Sequence, residues 1–150
     1  MKTDYFTIPE ITVSFKDNVK TSERTVIKCS KDAASILAAA FENCMEHHEE
    51  VYALFLNRAN RLIGISCIGK GGLNGTVVDI RIVLQTALKT NSSAVMLSHN
   101  HPSGSTRPSN QDLQVTKELK AGCEAIGIHL LDHLIVSEES YTSLADEGLL

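Results

Sequence analysis

The sequence predicts an α/β domain in which helices cover both faces of a β-sheet. Three short segments, 49–56, 94–98 and 128–136, are almost continuously apolar, which is typical of strands buried on both faces. Segments with helical periodicity lie between them, so that strands and helices alternate along the chain. With 150 residues, 43% of them hydrophobic, the chain is long enough to form one domain with a substantial core.

The first third of the chain predicts two strands and a helix after a loose lead-in over 1–10. Apolar and polar residues alternate over 11–15, which is strand spacing, and 24–28 indicates a return strand. Ser30 is a candidate N-cap for a helix over 31–45, whose apolar residues fall on one face.

The middle of the chain predicts a hairpin and then an amphipathic helix. The hairpin strands are 49–56 and 61–68. The glycine-rich segment 69–75 lacks the Gly-Lys-Ser/Thr ending of a phosphate-binding loop, so we expect it to shape the crossing to the next helix. That helix, over 80–88 with Asp79 as its N-cap, has apolar residues at i, i+3, i+4, i+7 and i+8.

The last third predicts a strand, a helix and a final strand. The strands are 94–98 and 128–136, and the helix between them spans 110–126 with Gly127 as its C-cap. A short helix over 140–145 is expected in the tail.

Two histidines one residue apart follow the 94–98 strand. In an extended chain this spacing places the rings of His99 and His101 on the same side. Asp112, at the start of the next helix, is the candidate third ligand, because the proline and glycine residues before it indicate a loop that turns back. Two imidazole nitrogens and one carboxylate suit Zn²⁺ and leave its fourth position for water, which is the catalytic pattern.

Two further residues are candidates for the chemistry of such a site. Glu50, at the start of an apolar strand, is the candidate general acid/base, and the Ser109 hydroxyl is the candidate donor to a developing oxyanion. Each has a simpler interpretation, because Ser109 and Asp112 have the spacing of a capping box and Glu50 is equally explained as a solvated acid. His133 is either a pocket residue or a hydrogen-bonded core histidine.

The order His-x-His, seven residues, Ser, two residues, Asp resembles the JAMM motif of the MPN/JAB metalloprotease superfamily. The resemblance extends over about residues 20–150 and is closest to the RadC-type branch. The strings that carry it are His99–Gly104, Pro108–Ser109 with Asp112, Leu131–His133 and Glu50–Leu54. The resemblance implies that the chain consists of an N-terminal extension, 1–19, and a RadC-type JAB/MPN domain, 20–150.

This resemblance implies a JAB/MPN fold, a mixed β-sheet sandwiched by helices and related to the cytidine deaminase fold. It implies Zn²⁺ held by His99, His101 and Asp112, and a Ser109 that helps to stabilise the tetrahedral intermediate. Glu50 would be the general acid/base, chosen over Glu49 as the acid directly before the apolar strand. The implied substrate is a peptide or protein with a peptide or isopeptide bond, as in conjugates of ubiquitin-like proteins.

A DNA-repair label attached to RadC-type proteins gives the alternative function, a DNA-associated factor. The net charge of −4 weakens this alternative, as does the expectation that the chain has no room for the helix-hairpin-helix-like region of longer RadC-type proteins. A zinc base deaminase is disfavoured, because the chain lacks the required His-x-Glu and Pro-Cys-x-x-Cys strings.

The remaining sequence features predict a cytoplasmic protein with no membrane segment. No apolar run approaches the roughly 20 residues of a membrane-spanning helix, and the N-terminus has no signal-like apolar core. The four cysteines are far apart in the sequence and are expected to be buried, reduced thiols. The oligomeric state is left open.

Overall fold

The computed structural model describes residues 9–71 and 76–150. Its single sheet has five strands in the order β2-β1-β3-β4-β5. The strands are β1 (Glu50–Leu56), β2 (Leu62–Lys70), β3 (Ala94–Asn100), β4 (His129–Val136) and β5 (Tyr141–Ser143). The helices are α1 (Ser30–Ala40), α2 (Ile80–Lys89) and α3 (Asn110–Ala125), with a short 3₁₀ helix at Thr21–Glu23.

The sheet is mixed, as the sequence predicts. β1 pairs antiparallel with β2, which confirms the hairpin, and antiparallel with β3 on its other side. β3 and β4 are parallel and are connected through α3, as a parallel pair requires. β5 extends the sheet antiparallel to β4.

The core has two halves, one on each face of the sheet. On one face, Leu54 and Met96 pack with Leu37 and Phe41, the latter pair contributed by α1 and its C-terminal end. On the other face, the odd-numbered residues of β1 and β3 pack with buried residues of α2 and α3: Val51, Ala53, Phe55, Val95 and Leu97 against Val83, Ala87, Leu119 and Cys123. Both faces are therefore covered by helices, in agreement with the predicted α/β sandwich.

The N-terminal part differs from the prediction. Residues 11–15 form no strand in the described chain, and Ile11 and Val13 are exposed, because alternation alone supplies no neighbouring strand to pair with. Of the predicted strand 24–28, only an isolated bridge between Val26 and Arg61 is present. Residues 1–8 of the lead-in lie outside the described residues.

The first helix and the C-terminal tail also differ from the prediction. Helix α1 has Cys29 at its N-cap position and Ser30 as its first residue, and it ends at Ala40 rather than near residue 45. The predicted helix over 140–145 is wrong, because the exposed edge of β4 provides backbone hydrogen-bond partners and the segment forms β5 instead.

The predicted N-cap of α2 is confirmed, whereas the C-cap of α3 is Ile126, with Gly127 directly after it. The Asp79 carboxylate accepts a hydrogen bond from the backbone N–H of Arg81 at the start of α2, and Gly127 has a φ of 71° just after α3. Within the glycine-rich segment, residues 72–75 lie outside the described part of the chain. No helix among the described residues is long and apolar enough to cross a membrane.

All four cysteines are free thiols, but only two are buried. Cys44 and Cys123 lie in the core, as expected, whereas Cys29 and Cys67 are exposed, so the prediction that all four are buried is wrong for these two.

Candidate metal centre

The three predicted ligands meet where β3 ends and α3 begins. The Nε2 atoms of His99 and His101 are 2.9 Å apart. The Asp112 carboxylate lies beside both rings, with Oδ1 3.2 Å from His99 Nε2 and Oδ2 3.7 Å from His101 Nε2. We call His99, His101 and Asp112 the candidate metal centre.

A backbone carbonyl determines which nitrogen of His101 carries a proton. His101 Nδ1 lies 2.7 Å from the carbonyl oxygen of Ser105, which can only accept a hydrogen bond. Nδ1 is therefore the protonated nitrogen of the neutral ring, and Nε2 presents a lone pair to His99 and Asp112.

A chain of three hydrogen bonds determines which ring nitrogen of His99 carries a proton. The Thr116 hydroxyl donates to the backbone carbonyl of Asp112 over 2.7 Å, so it can only accept from His133 Nδ1, which is 2.6 Å away. His133 Nε2 is then an acceptor, 2.9 Å from His99 Nδ1, which must donate to it. The Nε2 atom of neutral His99 is left with a lone pair.

His133 stays neutral within this chain. It is only 2% exposed, and burial lowers the pKa of its imidazole to about 3. A fixed neutral partner on Nδ1 is how proteins commonly orient a histidine that binds metal through Nε2.

The centre therefore concentrates acceptor atoms that have no donor among them. Two ring lone pairs at 2.9 Å and a carboxylate repel one another unless a positive charge lies between them. A divalent cation supplies such a charge to all three ligands, and the two nitrogens and one oxygen suit Zn²⁺.

Ser109 and Asp112 form the capping box that starts α3. The Ser109 hydroxyl accepts from the Asp112 backbone N–H at 3.1 Å, and Asp112 Oδ2 accepts from the Ser109 N–H at 2.7 Å. The cap and the metal interpretation are compatible, because Oδ2 binds the cap while Oδ1 is the closer oxygen to His99. The cap also fixes the direction of the carboxylate.

A cavity of about 350 Å³ opens in front of the ligands. Its wall includes Ser109, Glu49 and the apolar side chains of Val51, Val77 and Val115. The cavity thus brings the Ser109 hydroxyl and the Glu49 carboxylate, together with these apolar side chains, beside the candidate metal centre.

Glu50 is not among the residues that line this cavity, so the structure does not bring it together with the three candidate ligands. Val51 lies directly opposite His99 in the antiparallel pair of β1 and β3, so these two side chains share a face. Glu50 precedes Val51 by one residue and points to the opposite face, where its carboxylate binds His48 Nε2 at 2.8 Å and the Tyr52 hydroxyl at 3.1 Å. Glu49, two residues before Val51, lines the cavity with the ligands.

The sequence analysis missed Thr116 and left His133 open. Thr116 lies four residues after Asp112, a spacing that places both on one face of α3, and this was the signal that could have identified it. Both interpretations of His133 hold, because it is a hydrogen-bonded core residue that also lines the cavity.

Comparisons with known proteins identify the family of the chain. A family model described as RadC-like JAB domain matches residues 27–149. A UPF0758 protein of Flavobacterium johnsoniae is 42% identical over 123 residues, which are 82% of this chain and 53% of the relative. A UPF0758 protein of Listeria welshimeri is 40% identical over 130 residues, 87% of this chain and 57% of the relative. The chain thus spans about half the length of the curated relatives it matches.

Proposed function

Because the chain belongs to the RadC-like JAB domain family, we propose that it is a zinc-dependent hydrolase that cleaves an amide bond with an activated water. The observation that supports this most is the meeting of three acceptor groups, His99, His101 and Asp112, with no donor between them. When bound there, Zn²⁺ would polarise the substrate carbonyl and lower the pKa of a water to about 7.

Glu49 is the general acid/base of this proposal, in place of Glu50. Its carboxylate takes the proton of the attacking water and delivers it to the nitrogen of the leaving amine as the C–N bond breaks. Its position in the cavity with the ligands supports this role, whereas the Glu50 carboxylate binds His48 and Tyr52 on the other face.

Ser109 supplies a hydrogen-bond donor at the same cavity. Its oxygen already accepts from the Asp112 N–H, so its single proton is free to point at the substrate carbonyl oxygen as that oxygen gains negative charge.

The proposed substrate is a peptide or a protein with a peptide or isopeptide bond, including conjugates of ubiquitin-like proteins. The family resemblance is the basis of this choice, and the apolar wall formed by Val51, Val77 and Val115 suits the side chains or aliphatic stems that flank such a bond. A DNA-associated role stays a prediction, which salt-sensitive DNA binding would test.

The test combines metal content with hydrolysis of amide-linked fluorogenic peptides and isopeptides. We expect wild-type protein reconstituted with Zn²⁺ to hydrolyse some of these substrates, and Asp112→Asn to lose both one equivalent of zinc and the activity. The matched control is Asp79→Asn, because Asp79 also caps a helix and asparagine keeps that cap. If Asp112→Asn held as much zinc as the wild-type protein, the proposal would be overturned.

A further inference from the structure

A second group of metal-ligating side chains lies on the opposite face of the sheet. Cys44, His48 and Glu50 each offer one ligand atom, and these three atoms lie within 4.8 Å of one another. We call these residues the rear cluster. Cys44 and Glu50 are buried and His48 is partly exposed, so the cluster is closed towards the core and open at one ligand.

We propose that the rear cluster is a second site for a divalent cation of the Zn²⁺ type, bound by Cys44 Sγ, His48 Nε2 and a carboxylate oxygen of Glu50. Sulfur, imidazole nitrogen and carboxylate oxygen are the three ligand classes that Zn²⁺ accepts in proteins. This proposal does not rest on the hydrolase activity, because it uses none of the residues of the candidate metal centre.

One buried side chain fixes the backbone that carries the three ligands. Asn100 is fully buried, and its amide donates to the carbonyl oxygens of Cys44, Met45 and His48 at 3.2, 3.1 and 2.8 Å. Its own carbonyl oxygen accepts from the backbone N–H of Glu50 at 2.8 Å. The ligands are thus positioned before any ion arrives, which reduces the entropy cost of binding.

The hydrogen bonds of His48 allow the change that binding requires. In the metal-free protein its Nε2 donates to Glu50 at 2.8 Å, so its Nδ1, 2.8 Å from His47 Nδ1, accepts from that ring. When Nε2 binds a cation, the proton of His48 moves to Nδ1 and is donated to His47 Nδ1, while the proton of the exposed His47 ring moves to its Nε2, so His47 becomes the supporting partner. The thiol proton of Cys44 leaves to solvent as the sulfur becomes a ligand.

Lys70 forms an ion pair with Glu50 in the metal-free protein. Its Nζ lies 3.4 Å from Glu50 Oε1, and its side chain is 69% exposed, so it can swing into solvent when a metal ion binds. Lys70 therefore competes with the cation for the same carboxylate oxygen.

Titration with Co²⁺ distinguishes the two sites, because only the rear cluster contains a sulfur ligand. We expect wild-type protein to develop a thiolate-to-cobalt charge-transfer band, and Cys44→Ser and His48→Gln to lose it. Cys67→Ser is the matched control, since Cys67 is an exposed thiol on β2 outside the cluster, and Asp112→Asn should keep the band while losing the other equivalent of metal.

A variant that binds Co²⁺ more tightly gives a test that loss of folding cannot imitate. Lys70→Met should lower the Kd of the rear cluster for Co²⁺ several-fold, because the competing ammonium is gone. Absence of the band in wild-type protein saturated with Co²⁺, or a band that survives Cys44→Ser, would refute the rear site. Loss of hydrolysis in Asp112→Asn with the band intact would support both proposals separately.

Discussion

The two faces of the sheet carry similar ligand residues in opposite electrostatic situations. In the candidate metal centre, the lone pairs of His99 and His101 and the Asp112 carboxylate face one another with no donor between them. In the rear cluster, the Glu50 carboxylate is already bound by the His48 ring and the Tyr52 hydroxyl. A cation would relieve the repulsion in the first arrangement, whereas the carboxylate of the second arrangement has hydrogen-bond partners without one.

The ionisation of Glu50 reflects this difference. Burial raises the pKa of its carboxyl, but hydrogen bonds from His48, Tyr52 and Lys70 outweigh burial and lower it. The rear carboxylate is therefore charged and satisfied without metal. We expect the candidate metal centre to bind Zn²⁺ more tightly than the rear cluster, since its ligands have no competing partner to release.

The largest expected effect is a difference in turnover between variants of the neighbouring acids Glu49 and Glu50. Glu49→Gln should reduce turnover by about 100- to 10,000-fold, because the amide cannot accept the proton of the attacking water. The decrease in kcat should be at least tenfold greater for Glu49→Gln than for Glu50→Gln. Both variants are measured on the same peptide substrate, and their zinc content is determined in parallel.

Metal content gives this prediction its control. Glu49 is not among the three ligands of the centre, so Glu49→Gln should keep the zinc equivalent that Asp112→Asn loses. A greater loss of turnover in Glu50→Gln than in Glu49→Gln would contradict the assignment of faces.

The second effect concerns Asn100, which lies between the two histidines in sequence but serves the other face. Asn100→Ala removes the side-chain donor to the carbonyls of Met45 and His48 and the acceptor of the Glu50 N–H, whereas the Cys44 carbonyl keeps the N–H groups of His47 and His48. Each buried unsatisfied group is costly, so we expect the free energy of unfolding to fall by about 2–4 kcal/mol in urea titrations of metal-free protein.

Asn57→Ala is the comparison for Asn100. Its side chain also bonds two backbone N–H groups, those of Ala59 and Arg61, but in a surface turn where water replaces them, so about 1 kcal/mol or less should be lost. Equal losses for the two variants would argue against Asn100 as the support of the rear cluster.

The smallest effect tests the hydrogen-bond chain behind His99. Thr116→Val removes the hydroxyl that accepts from His133 Nδ1, so the orientation of His133 and the tautomer of His99 are no longer fixed. We expect the zinc affinity of the candidate metal centre to fall about 10- to 100-fold, measured by competition with a chelator.

Thr86→Val is its matched control, because Thr86 also bonds the carbonyl four residues earlier on a helix but contacts no histidine. An unchanged affinity in Thr116→Val would mean that His99 keeps its tautomer by other means. The rear cluster should bind Co²⁺ equally well in both variants.

Much of the fold was predictable because local pattern and tertiary packing agree there. The apolar runs that became β1, β3 and β4 are buried on both faces, and the caps at Asp79 and Ser109 act within one helical turn. The segment 11–15 was mispredicted because alternation alone supplies no neighbouring strand, and the segment 140–145 was mispredicted because the edge of β4 is available to pair with it.

The sequence by itself determined the three ligands of the candidate metal centre, since a His-x-His pair and an acid at a helix start place them by local spacing. Only the tertiary structure decided which of Glu49 and Glu50 faces them, because that depends on Val51 standing opposite His99 in the pairing of β1 with β3. The tertiary structure also decided that His133 and Thr116 fix the tautomer of His99, and that Cys44 and His48 meet Glu50. His99 and His133 are far apart in sequence, and the rear cluster depends on Asn100 of β3, which bonds the backbone of residues 44–48 and of Glu50.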